Sequence, residues 1–383
     1  MAIGRLMLSR SCRFLIHFTV ACLLVAGVIT GVECILLNQE QANRSQLSTA
    51  HTGDAVILCS SSRHHTLRPG AVIEPENLNA PRLVLNSFGL RGPEPTLPKP
   101  ANVYRVVVLG DETVFASHLG TPELATTYLQ HHLQQLTSKQ VEVVNAGIPG
   151  YCPLLSFLQF RHQLLGLNPD AVVLHYDLSD AKEDHRYRST LQVDANGTPL
   201  ACVHPAVLEG ANSHPTGTVA RFAIGRWLLH QVCDSPYRPE SSFTDWPWPL
   251  SGDPERVKAT LKSLEPIAQL SQFAKELSAR FVLTSTPASM PQIASDEATQ
   301  RMIEYWQKPR ELLTTFAAEN RIEFCDTSDA LVNADIDQLY DENGLTRSGH
   351  YALATELAAH IANQRSRQAT PGILRIQQVS GGG

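Results

Sequence analysis

The sequence predicts a doubly wound α/β domain, a parallel sheet with helices on both faces, preceded by an N-terminal transmembrane helix. Three observations predict it. From about residue 103 onward, short β-branched apolar runs alternate with longer amphipathic stretches. The runs are apolar along their length rather than at every second residue, as strands buried on both faces must be. And a stretch of 24 predominantly apolar residues, 14–37, follows Arg5, Arg10 and Arg13.

The apolar stretch reads FLIHFTVACLLVAGVITGVECILL, with His17 and Glu33 as its polar members. A helix needs roughly 20 such residues to cross the hydrocarbon core. Basic residues ahead of it put residues 1–13 in the cytoplasm and the remainder outside. A cleaved signal peptide is the rival, but its apolar run is usually about 7–15 residues and ends in a small-residue site. The expectation is an uncleaved anchor at 14–37 that makes the membrane a partner. A polar stalk at 38–55, a domain at 56–365 and a disordered tail at 366–383 follow.

Hydrophobic residues make up 43% of the chain and charged residues 18%, which supplies an ordinary core. The net charge of -6, without a long basic run, argues against a nucleic-acid partner. No CxxC pair occurs among the eight cysteines, so a thiolate zinc site is not expected. Cys202 and Cys233 could pair, but ordinary buried thiols are the simpler reading.

Within the domain, residues 56–100 mix short apolar runs with Pro and Gly and suggest one or two lead-in strands. Val103 to Leu109 is the first buried strand, ended by Gly110. Thr121-Pro122-Glu123 opens a helix to about Leu136, with a capping hydroxyl, proline at the first position and an acid in the first turn. Strands follow at 141–144, 171–176, 281–285 and 322–324, and helices at 153–166, 254–279, 297–319 and 347–365. Residues 181–252 interrupt this alternation. They carry a hairpin signal at 193–198, a helix at 220–232 and a loop, 244–250, that holds Trp246 and Trp248. This insertion could cover the crevice beyond the carboxyl ends of the strands, where such sheets bind ligands.

The residues at those ends form four blocks. They are Gly110-Asp111-Glu112-Thr113, Asn145-Ala146-Gly147 running on to Tyr151, Asp177-Leu178-Ser179-Asp180, and Asp341 to His350. With the lead-in NSFGLRG at 86–92, the blocks resemble the SGNH-hydrolase (GDSL esterase) family over roughly residues 80–365. The resemblance implies a flavodoxin-like sheet. It also implies a site in which a serine attacks an ester carbonyl, a histidine held by an aspartate is the base, and a glycine amide and an asparagine stabilise the oxyanion.

Carried over, the serine position falls on Glu112, the oxyanion glycine on Gly147, the asparagine on Ser179, the aspartate on Asp341 and the histidine on Gly344. Glycine has no side-chain base. A glutamate beside a developing oxyanion opposes its stabilisation, and triad members act as a unit. Standard serine-esterase activity is therefore not expected, and the ligand class implied by the resemblance is acylated carbohydrate or lipid. An ion pair of Glu112 with Arg186 or Arg188 would mark a blocked site.

Other residues have two readings each. Asp111, Glu112, Asp177, Asp180 and Asp341 could hold a divalent cation such as calcium or magnesium, or act as a glycosidase acid–base pair. The plainer reading has Asp111 and Asp180 bonding loop backbone, with no metal and no cofactor. His185 could reach a ligand or sit in a solvated loop. Trp246 and Trp248 could stack on a sugar or pack a loop onto the sheet edge. His350 reads as a buried histidine bonding backbone at a helix start. Asn196-Gly197-Thr198 matches a glycosylation acceptor but reads more simply as a hairpin turn.

Overall fold

Five buried runs form one parallel sheet: Val103–Gly110 (β1), Gln140–Gly147 (β2), Ala171–Tyr176 (β3), Arg280–Ser285 (β4) and Glu323–Asp326 (β5). Their order is β2-β1-β3-β4-β5, with every neighbouring pair parallel. This is the flavodoxin-like doubly wound order, and its reversal point lies at β1, where β2 and β3 flank it. The computed structural model describes residues 17, 19, 27–35, 56–75, 81–177, 180–211, 254–286, 310–327, 339–341 and 344–368.

Both faces of the sheet are buried, and the strands alternate between two cores. Val107 and Leu109 of β1, Val172 and Leu174 of β3, and Phe281 and Leu283 of β4 face one core. Pro153–Gln159 (α3) and Glu265–Glu276 (α5) supply its cover. Val106 and Val108, Ala171 and Val173, and Val282 face the other core, which Ala125–Gln135 (α2) and Arg347–Gln368 (α6) complete. Each fully buried aliphatic side chain contributes about 1.5–3 kcal/mol, so the apolar runs seen in the sequence hold the sheet together.

Several elements differ from the sequence reading. Leu124 is extended, so the helix predicted from Thr121 is a 3-10 turn at Thr121–Glu123 followed by α2. The stretch predicted as one helix from 153 runs as α3, then a wider five-residue turn at Phe160–Leu164 and a tight turn at Leu165–Leu167. The stretch predicted at 254–279 breaks at Leu264, because Pro266 in the first turn of α5 cannot donate to a preceding turn. The lead-in forms two short hairpins, Ile57–Cys59 with His65–Leu67 and Val72–Ile73 with Leu83–Val84. The hairpin signal becomes Leu191–Val193 against Pro199–Cys202, with Gly197 at φ +80 in the turn. The last helix runs to Gln368, past the predicted end at 365.

The described chain divides into two compact units, residues 1–55 with 208–239, and residues 56–207 with 240–383. In the first, residues 27–35 are helical, with Val28, Ile29, Val32 and Ile35 exposed. Among the described residues, no helix is long and apolar enough to cross a membrane. The remainder of the predicted anchor, the stalk, the helix at 220–232, the tail beyond 368, Cys233, Ser179, Trp246 and Trp248 lie outside the described residues. Cys152, Cys202 and Cys325 are buried free thiols.

Candidate functional site

The lead-in block fixes the first strand-end loop. Asn86 Oδ1 accepts the amides of Phe88 and Leu90, at 2.9 and 3.0 Å, and shapes the turn that delivers Arg91 into the interior. The buried Arg91 guanidinium donates to the carbonyls of Phe115, Ala116 and Leu119. These lie at and just past the end of the short helix Glu112–Phe115 (α1), so a cation meets the negative end of that turn. Burial lowers Arg91 to about 10, which leaves it charged at neutral pH. Asn145 on β2 donates through Nδ2 to the Val114 carbonyl at 2.7 Å. Two side chains of the lead-in and one from β2 thus hold the loop that presents Glu112.

Glu112 is exposed, and its Oε2 accepts the Gly150 amide at 3.1 Å. The amide that faces this position is therefore Gly150, not Gly147. Gly147 spends its own N–H on Asn145 Oδ1 at 3.0 Å. A Cβ on Gly147 would lie 2.6 Å from the Phe115 nitrogen, so its glycine serves close packing of α1 on β2. Gly150 needs its glycine for a different reason, a φ of +72.

The carbonyls around Gly150 are also engaged. His65 Nε2 lies 3.0 Å from the Pro149 oxygen, which can only accept, so Nε2 carries the proton. His65 Nδ1 then accepts from His64 Nδ1 at 3.0 Å. Burial lowers both imidazoles, His64 to about 3, so each is neutral. The Tyr187 hydroxyl lies 3.0 Å from the Gly150 oxygen and 3.2 Å from Glu183 Oε2. Burial, then the charge of Glu112, pushes the Glu183 carboxyl up to about 7. Glu112 directly, and Glu183 through the Tyr187 hydroxyl, thus meet the same glycine.

Glu183, His185 and Tyr187 sit on the helix Asp180–Tyr187 (α4), where the sequence reading placed a polar loop. Asp180 and Glu183 in its first turn favour a helix there. His185 is exposed on this helix. Arg188 is taken up by Asp184 and the Lys262 carbonyl. The contact found for Glu112 is the Gly150 amide.

Deeper in the crevice, Asp111 caps α1. Its Oδ1 accepts the Thr113 amide at 2.9 Å, as the plainer reading expected. Asp180 Oδ2 accepts the Asp177 amide at 2.8 Å, again loop backbone. Both carboxyls are pushed well above the usual range, chiefly by burial and then by the charge of Asp177. His175, the penultimate residue of β3, is buried with Nε2 3.0 Å from Thr286 Oγ1.

At the fourth block, Asp341 pairs with Gly344 across a two-residue ladder. Gly344 has φ +113. His350 is buried, and its Nδ1 accepts the Ala125 amide at 3.1 Å. That bond, at the first residue of α2, is the backbone role expected of it. Burial, with His118 next, lowers His350 to about 3.

No family model matches the chain. No curated protein matches it either. Solved structures do align with it. One is a lipase/acylhydrolase from Enterococcus faecalis, 13% identical over 68% of this chain and 96% of that one, with a TM-score of 0.37. Another is the acetyl xylan esterase AlAXEase, 17% identical over 67% of this chain and 99% of that one, with a TM-score of 0.38. A third is a catalytic mutant of an acetylxylan esterase from Geobacillus stearothermophilus, 15% identical over 67% and 94%, with a TM-score of 0.36.

Sequence reasoning missed Gly150, Glu183, Tyr187, His175 and the His64–His65 pair. Glu183 and Tyr187 carried a signal, an i,i+4 spacing just past the third block. His175 carried none, because a histidine inside an apolar strand run looks like core.

Proposed function

We propose that the chain is a membrane-anchored, exported domain of the SGNH-hydrolase type that binds an acylated carbohydrate or lipid without serine-esterase turnover. The observation that carries this is the contact between Glu112 and the Gly150 amide. An acyl-transfer site needs a nucleophile and an amide free to receive a developing oxyanion. Here a carboxylate stands at the nucleophile position and already occupies that amide. The neutral His350, whose Nδ1 is taken up by the Ala125 amide, adds no base. The N-terminal anchor rests on the apolar segment at 14–37, and the ligand class rests on the resemblance of the four blocks.

The test is ester hydrolysis by the purified full-length chain in detergent, on short-chain aryl esters and acetylated sugars, beside Glu112→Ala. No turnover above buffer in either protein supports the reading. Turnover in the wild type that Glu112→Ala abolishes would sink it. Membrane attachment is tested separately, by whether the chain resists alkaline extraction from membranes.

One observation favours a second reading, a hydrolase of glycosidic bonds. Glu183, held up to about 7 next to Glu112, has the proton affinity of a general acid. Release of aryl leaving groups from aryl glycosides, lost in Glu183→Gln, would establish it.

A further inference from the structure

The carboxyl ends of β1 and β3 bring Asp111, His175 and Asp177 together, with one donor atom of each within 4.8 Å of the others. Asp111 is 2% exposed and His175 3%. Asp111 uses Oδ1 on the Thr113 amide, and its Oδ2 is buried without a hydrogen-bond partner. His175 uses Nε2 on Thr286, and its Nδ1 is likewise buried without a partner. Orphaned polar atoms in a dry interior cost free energy comparable to lost hydrogen bonds, and native structures rarely keep two side by side. The charges acting on Asp111 are those of Asp177, Glu112 and Asp180, all acidic. We propose that Asp111, His175 and Asp177 bind one divalent first-row transition-metal ion, such as zinc or manganese.

The donor set selects the ion class. Calcium and magnesium favour shells made of oxygen, whereas an imidazole beside carboxylates suits first-row transition metals. The supporting contacts are those a metal centre needs. Thr286 Oγ1 holds one ring nitrogen of His175 and so orients the other. The Thr113 amide turns Asp111 so that Oδ2 is left over. The Asp177 amide is tied to Asp180, which fixes the loop carrying the third donor. Gly110 leaves room, since a Cβ there would lie 3.2 Å from the His175 Cβ. Three protein donors leave at least one position for a further ligand, and Thr113 Oγ1 donates to Asp177 Oδ2 at 3.4 Å. The site lies beneath Glu112 and does not depend on how Glu112 is read.

The test strips the full-length chain with a chelator, adds zinc or manganese, and measures retained metal by mass spectrometry together with the melting temperature. About one equivalent per chain and a raised melting temperature are expected. Asp177→Asn, at a half-buried position, is expected to keep its far-UV circular dichroism and lose binding. Thr286→Ala is expected to weaken binding about 10–100-fold. Three results would overturn the proposal: no retained metal in folded protein, unchanged binding in Asp177→Asn, or retention of calcium or magnesium in preference to both ions. Ester turnover, the readout for the preceding reading, does not enter this measurement.

Discussion

Glu112 Oε2 and the Gly150 amide are 3.1 Å apart, and Gly150 also contacts Glu183 through the shared Tyr187 hydroxyl. One glycine thus couples two carboxylates. Glu112→Gln removes the charge that stands second among the causes raising Glu183. The Glu183 midpoint is therefore expected to fall from about 7 toward the ordinary carboxylate range. Carbon-detected NMR of the side-chain carboxyl would read the shift, and an unmoved midpoint would show the two groups to be uncoupled.

The raised Glu183 also sets a pH dependence of stability. Its carboxyl ionises near 4.5 when unfolded and near 7 when folded. Between those values the folded state holds the extra proton, so stability falls as pH rises through the window. Glu183→Gln should stabilise the protein at pH 8 by about 2–3 kcal/mol and flatten its stability profile between pH 5 and 8. Glu323 works the opposite way. Burial raises its carboxyl, but hydrogen bonds from Arg280 and His360 outweigh that and hold it at about 2. Its contribution is complete above pH 4.5 and is lost as pH falls toward 2. Melting temperatures across pH 3–9 would separate the two.

Arg91 has three backbone carbonyls as partners and no ion pair among the described contacts. Arg91→Ala leaves those oxygens buried and unbonded, which should cost about 3 kcal/mol or more. Because the same bonds pin the end of α1, faster amide exchange at Phe115 and Ala116 should accompany the loss.

Gly147→Ala should cost about 1–3 kcal/mol by overpacking, because the new Cβ meets the Phe115 nitrogen and the C and Cβ of Val114, none of them the far end of a flexible side chain. Urea unfolding measures it. A neutral result would mean that α1 can move off β2.

The sheet was legible because its strands are buried on both faces. An apolar run such as Val103 to Leu109 has no other use in a chain of this composition, and all five strands fall within three residues of their expected ends. The helices were less legible where a local break decides the geometry. Leu124 and Leu264 interrupt stretches whose apolar spacing continues across them. At the site, the strand-end blocks located the crevice but not the direction of any backbone amide. Choosing Gly150 over Gly147 required knowing that Asn145 turns back on its own strand. His175 was hidden for a similar reason, since the pattern that reveals a strand conceals the one polar residue within it.

The hairpin at Gly344 bears on the history open to this chain. Among the described residues nothing lies within 4 Å of a Cβ placed on Gly344, so their volume does not exclude a histidine there. The backbone does, because φ +113 is a conformation that side-chain-bearing residues adopt only at a cost of about 1–3 kcal/mol. A histidine at this position would therefore need a rebuilt turn as well as a changed codon. The turn, and not the space around it, thus decides which residues position 344 can accept.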